Sequence, residues 1–228
     1  IAVVVDGDDE VWYLQMLKRN EPKIRISIKP EIPNKKSVEE QYNLVRDLSE
    51  KEFTKVFWIV DLDSVIKEDN EALKGKETPL EIFAKYRANL EENYANVVVI
   101  VNNPCLEFWF LLHFKKTSKY YDTCAEAKTE LKKYLKNYEK TRKFFTKQGD
   151  DIYLKLKPRL KIAVENSIAL GNYDKKNPKK AGFRRGNRWI SAHICLFWPP
   201  FCSYLPAIRA GWSMCIIPSI RGSGRQIR

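Results

Sequence analysis

Residues 96–114 read NVVVIVNNPCLEFWFLLHF. Val97–Val101 is an unbroken apolar run of the length expected for a strand buried on both faces. Asn102 and Asn103 make a two-residue turn. Pro104 then opens a helix, since asparagine at the cap and proline in the first helical position form a strong start signal. That helix carries Cys105, Leu106, Phe108, Trp109, Phe110, Leu111 and Leu112. It is apolar on nearly every side, and such a helix is buried. Glu107 stands one turn in, and a carboxylate there needs a proton, a cation or a hydrogen-bonding partner. The helix N-terminus itself is the simplest candidate.

Outward from this stretch the same strand–helix rhythm repeats. Ile1–Val5 is a second buried apolar run, closed by Asp6-Gly7-Asp8-Asp9-Glu10 and a helix whose inner face is Val11, Trp12, Leu14 and Leu17. Lys23–Ile28 alternates and reads as a strand with one polar face. Ser37-Val38-Glu39-Glu40 is a capping box opening a helix with Val38, Tyr42, Val45 and Leu48 inward. Val56–Val60 is a third buried strand ending at Asp61-Leu62-Asp63, followed by a charged, solvated loop over 67–76. Thr78-Pro79-Leu80-Glu81 caps a helix with Phe83, Tyr86 and Leu90 inward. The alternation predicts an α/β fold with a mostly parallel sheet of about four strands flanked by helices.

Beyond Phe114 the pattern is helical only. Asp122 or Thr123 caps a helix with Ala125, Leu131, Tyr134, Leu135 and Tyr138 on one face and lysines, read as solvated, on the other. A further helix spans 150–166, with Pro158 as a kink or restart. The expected division is an α/β core at 1–118, a helical extension of the same domain at 119–181, and an anomalous segment at 182–228. That last segment is basic and aromatic, shows neither helical nor strand period, and reads as disordered or frame-shifted.

The net charge is +12, but no Asp or Glu follows Asp174 while 11 Lys and Arg do. Residues 1–174 therefore hold 30 basic against 29 acidic side chains. The basic balance is no property of the core and does not by itself argue for nucleic acid. No apolar run reaches membrane-spanning length, and the chain opens directly on a strand, as a fragment would. Five cysteines show no C-x-x-C and no metal-ligand spacing. Cys105 reads as a buried core thiol, and a cytoplasmic setting is expected.

Ligands of parallel sheets bind beyond the carboxyl ends of the strands. Three polar clusters fall there: Asp6 with Glu10, Asp61 with Asp63, and Asn102-Asn103 leading to Glu107. Asp61 and Asp63, two apart on an extended chain, would face one cation. Crowded carboxylates repel one another unless a divalent cation is bound, and all-oxygen ligands suit Mg²⁺ or Mn²⁺. His113 is six residues from Glu107, off its helical face, and reads as a hydrogen-bonded core histidine rather than a ligand.

Asp6-Gly7-x-x-Glu10 after a first strand, with Asp61-x-Asp63 after a later one, resembles the TOPRIM metal-binding pattern of topoisomerases, primases and OLD-family nucleases. Asn103-Pro104-Cys105-Leu106-Glu107-Phe108-Trp109, continued to His113-Phe114, is similar to the signature of RloB-like proteins, prokaryotic proteins encoded near restriction and phage-defence genes, often beside an ATPase. The resemblance covers 1–180. It implies a TOPRIM-like fold, with Asp6, Asp61 and Asp63 as metal ligands and Glu10 as a further acid of the first motif. Asp6 stands where the family pattern usually has glutamate. The implied activity is that of a Mg²⁺- or Mn²⁺-dependent nuclease or nucleic-acid-acting effector of an anti-phage or abortive-infection system. Its partners would be DNA or RNA and an ATPase, with no membrane. Asp6, Glu10 and Glu107 are the candidate catalytic acids, and Asn102 and Asn103 would support the metal shell.

Two other readings stand beside it. One is a catalytically degenerate TOPRIM adaptor or sensor. The other is a haloacid-dehalogenase-like phosphatase, since Asp61-Leu62-Asp63-Ser64-Val65 fits D-x-D-x-[TV]. In that family, however, the motif closes the first strand, and here two strands precede it.

Overall fold

The structure is a computed structural model. It describes residues 1–5, 7–29, 36–72, 77–119, 121 and 123–176 (backbone alone from 171), together with the backbone of 182–185 and 188–191. Four strands, β1 Ala2–Val5, β2 Ser27–Lys29, β3 Val56–Asp61 and β4 Val97–Asn102, form one sheet in the order β2-β1-β3-β4. Every neighbouring pair is parallel. The predicted α/β architecture is the one observed, and the apolar runs are buried as parallel strands require. Between β1 and β3 the chain's direction of travel across the sheet reverses, so the carboxyl ends of these strands form the switch-point crevice.

The connections are helical: α1 Asp8–Asn20, α2 Val38–Ser49, α3 Leu62–Glu71, α4 Pro79–Asn93 and α5 Leu106–Leu112. After them come α6 Cys124–Leu131, α7 Arg142–Phe145, α8 Ile152–Leu156, a 3-10 turn at Lys157–Arg159 and α9 Leu160–Lys176. Both predicted capping boxes close, Ser37 with Glu40 and Thr78 with Glu81. Helices α2, α3 and α4 pack together, while α1 packs with α7 and α8, and α5 with α6 and α9. The second group places the helical extension against the α/β core. Phe110 of α5 lies 5.3 Å from Tyr13 of α1, 6.2 Å from Tyr138 and 6.1 Å from Phe145, ring centroid to centroid. Arg19 and Asn20 at the end of α1 both donate to Asp151 Oδ2, at 2.7 and 3.0 Å. One continuous hydrophobic cluster runs through both parts.

Several expectations need correcting. Asn102 belongs to β4 rather than to a turn, and its place is set by ladder pairing with Asp61. Pro104 does not start α5: the Asn103–Pro104 peptide is cis and the helix begins at Leu106, with Cys105 as its cap. The segment taken as a charged loop is helical as far as Glu71, because Leu62 and Val65 bury one face and Asp69 accepts the Leu80 N–H at 3.1 Å. Lys23–Ile28 contributes a strand only at Ser27–Lys29. The helix expected to reach Tyr138 stops at Leu131, leaving Tyr134 41% exposed while Leu135 and Tyr138 stay buried through a chain of turns. Pro158 does mark a restart, between α8 and α9. Within 182–228, where no strand period was read, Gly182–Arg185 (β5) and Arg188–Ser191 (β6) pair antiparallel. Residues 192–228 lie outside the described residues.

Phe110 is fully buried at the junction of core and extension. Phe110→Ala is expected to destabilise the chain by about 3–5 kcal/mol. Urea unfolding should remain one transition by far-ultraviolet dichroism and by tryptophan fluorescence. Two separate transitions would show that the extension folds apart from the core.

Candidate functional site

The sheet brings residues from four distant segments to its carboxyl rim. Asp6 lies outside the described residues. Just after it, Gly7 caps α1 and Glu10 completes the first helical turn. A Cβ on Gly7 would sit 2.3 Å from Glu10 Oε2, so glycine is what lets the Glu10 carboxylate fold back over the helix start. Glu10 is buried, and its Oε1 has no hydrogen-bond partner among the described residues.

Asp61 ends β3 and Asn102 ends β4, in register. Asn102 Nδ2 donates to Asp61 Oδ1 at 2.9 Å. Asp63 does not continue the strand: it lies in the first turn of α3, and its N–H donates to the Pro104 carbonyl at 3.4 Å. The two aspartates therefore reach the rim from a strand end and a helix start, not from one face of an extended chain. Asn103, also expected to support the site, is buried and follows Asn102 directly in the chain.

Glu107 is fully buried, yet it is no simple helix cap. Its Oε1 accepts from Lys140 Nζ at 3.0 Å and from the Tyr138 hydroxyl at 3.2 Å. Lys140 Nζ also meets Asp9 Oδ2 at 2.9 Å. On the other side of Glu107, Cys105 and Cys124 form a disulfide with Cα atoms 5.7 Å apart. Their sulfurs lie 3.0 and 3.2 Å from Oε2. Cys105 is thus no inert core thiol. Its pairing is invisible to motif spacing because the partner is 19 residues away across a loop.

Charge balance at the rim is incomplete. Loss of water, followed by repulsion from Asp61 and Asp9, raises the Glu10 pKa well above the usual carboxylate range. Loss of water, with Asp63 and Glu107 nearby, pushes Asp61 up to about 7 against the stabilising Asn102 bond. Burial also raises Asp63 and Glu107. Lys140 opposes the shift of each of the four. Burial works against its own charge, but Glu107 and Asp9 outweigh this and raise its pKa. Among the described residues, one lysine thus serves a cluster of five acids that includes an orphaned carboxylate oxygen. An all-oxygen, cation-deficient set of this kind fits a hard divalent ion. As the side chains stand, the three ligand groups lying within 4.8 Å of one another among the described residues are Cys105, Glu107 and Cys124, not the aspartates.

Lys140 and Tyr138 are the residues of this cluster that sequence reading missed. Lys140 comes from the lysines read as a solvated face, whereas Tyr138 was read as inward-facing but without a polar role. His113 is placed as expected: it is buried, its Nδ1 is 3.0 Å from the Trp109 carbonyl, and burial lowers its pKa to about 4.

A family model described as RloB-like protein matches residues 1–190. No curated protein and no solved structure matches the chain. The match spans most of the sequence, takes in every residue of the rim and extends into the segment that begins at 182. The chain belongs to the RloB-like family.

The raised acids give a signed pH effect. An acid with a raised folded pKa stabilises the fold below its unfolded pKa, and that stability is lost as pH rises through the folded value. For Asp61 the window runs from the ordinary aspartate value of 3.8 to about 7. In chelator, wild-type stability to urea should fall across that window. Asp61→Asn should flatten the fall and be the more stable protein at pH 8, and added Mg²⁺ should narrow the difference. Equal slopes for the two proteins would show that Asp61 is not carrying the burden.

Proposed function

We propose that this RloB-like protein is a Mg²⁺- or Mn²⁺-dependent nuclease, or a closely related effector acting on nucleic acid, that serves in prokaryotic phage defence or abortive infection with an ATPase partner. The observation that carries this reading is the convergence of Glu10, Asp61, Asp63 and Glu107 on the carboxyl rim of a parallel sheet, with too little positive charge to balance them. Phosphodiester hydrolysis calls for that deficit to be met by a cation that also faces the phosphate.

In this reading Asp61, Asp63 and Asp6 would hold the ion, and Glu10, whose Oε1 has no partner among the described residues, would bind the ion or orient water. The ion, when bound, supplies Lewis acidity and a water acidified enough to attack. Burial and neighbouring acids push the Asp61 pKa up to about 7 when no ion is present, so a cation held there would relieve the charge that the site otherwise resists. Asn102 fixes the Asp61 carboxylate so that one oxygen stays directed. Glu107 positions Lys140, whose ammonium lies at the rim where phosphate charge would arrive. Glu107 is thus a positioning residue in this scheme rather than the acid that meets the substrate.

The Lys140 contacts with Asp9 and Glu107 also favour a second reading. A cation built into the chain is what a degenerate site would use in place of a metal, and the protein would then be an adaptor or sensor for its partner.

The test is Mg²⁺ and Mn²⁺ binding by calorimetry on the full chain, alongside cleavage of single- and double-stranded DNA and RNA. Wild type should bind metal and cleave one of these classes. Asp61→Asn and Asp63→Asn should each lose binding and about 10²-fold or more of the cleavage rate. Unchanged cleavage by both variants would overturn the nuclease reading. Metal binding without turnover on any nucleic acid would select the adaptor.

A further inference from the structure

Cys105 and Cys124 share one polar neighbour, the buried oxygen Glu107 Oε2. Cys105 is fully buried, whereas Cys124 at the start of α6 is partly exposed. Their Cα separation of 5.7 Å is in the range a disulfide spans. The same carboxylate presents its other oxygen to Lys140 and Tyr138. A sulfur pair is thereby joined through one side chain to the lysine that balances the acidic rim.

We propose that Cys105 and Cys124 are a thiol–disulfide pair that sets the state of the rim through Glu107. As thiols, both S–H groups donate to Oε2, and Glu107 is held by donors on both oxygens. As a disulfide, the pair has no proton to donate. Oε2 loses both donors, and the carboxylate depends on Lys140 and Tyr138 alone. Oxidation therefore tightens the Glu107 claim on Lys140 and withdraws the lysine from the other acids, while tying the start of α6 to the start of α5.

The oxidant that fits is a small disulfide such as oxidised glutathione, entering by exchange. The partly exposed Cys124, as thiolate, attacks one sulfur of the small disulfide. A mixed disulfide forms, and one small thiolate leaves. Cys105, as thiolate, then attacks the Cys124 sulfur, forming the internal bond and expelling the second small thiolate. The two cysteine protons end on the two released thiols, and the two electrons lost by the cysteines reduce the small disulfide. Reduced glutathione reverses both steps.

The pairing concerns the same rim as the proposed nuclease site, but thiol chemistry can be read without any cleavage assay. Full-length chain with Cys195, Cys202 and Cys215 changed to Ser should be equilibrated in glutathione buffers of graded potential, alkylated and analysed by mass. Cys105 and Cys124 are expected to lose alkylation together, with the loss of two hydrogens and a cross-linked 105–124 peptide. Cys105→Ser should instead trap a glutathione adduct on Cys124. The redox-inert Cys105→Ser/Cys124→Ser protein keeps hydroxyl donors for Oε2, so its thermal midpoint should not respond to the buffer, while that of the two-cysteine protein should shift.

Independent alkylation of the two thiols with no cross-linked product would overturn the proposal. A chain that retains stoichiometric zinc on these thiols, released on their alkylation, would also overturn it and assign the pair to a metal instead. A redox-responsive pair in a protein that cleaves nothing would leave the thiol proposal standing and remove the nuclease reading alone.

Discussion

Glu107 has no exposure, and a carboxylate without water must be compensated from inside the protein. Much of the architecture answers that demand. The turn chain after α6 carries Tyr138 and Lys140 back to Oε1, and the junction of α5 with α6 brings two sulfurs to Oε2. Breaking a buried pair by removing one partner costs far more than the pair contributes. The segment holding Lys140 is therefore bound to the core by electrostatics as well as by the aromatic cluster of Phe110, Tyr138 and Phe145. The same lysine is the counter-charge for Asp9, so the start of α1 is tied into this arrangement too.

The rim also shows how a parallel sheet gathers chemistry from sequence-distant pieces. β3 and β4 run in register to their last pair, which places Asp61 beside Asn102 without any local signal linking them. Helix starts then contribute Glu10 and Asp63, whose carboxylates sit over helix N-termini where negative charge is favoured. That favourable term is outweighed by lost hydration, since the net shift of Glu10, Asp61 and Asp63 is upward.

The sheet was legible because its strands are mostly continuous apolar runs and two of its helices, α2 and α4, open on capping boxes, both strictly local signals. Asp61, Glu10 and Glu107 were legible as polar residues that interrupt such runs at strand ends and in a buried helix. The route of Asp63 to the rim was misread, because alternation in an extended chain was assumed where Leu62 and Val65 in fact drive a helix. Lys140 was illegible for a different reason. Nothing in Lys136–Lys143 separates a lysine bound for solvent from one that crosses back to a core carboxylate; only the tertiary return of the chain does so. The Cys105–Cys124 pairing has the same cause, a contact closed by a loop rather than by a motif.

The clamp between the end of α1 and α8 joins residues more than 130 positions apart: Arg19 and Asn20 to Asp151, and Tyr153 to Glu21. Closing such a loop is entropically costly and slow compared with local structure. During synthesis the first four strands emerge long before Lys140 and Asp151. The nascent sheet thus carries its acids without their counter-charge until the C-terminal helices dock. In a protein built in this order, the acids of the rim meet Lys140 only when translation has passed the extension.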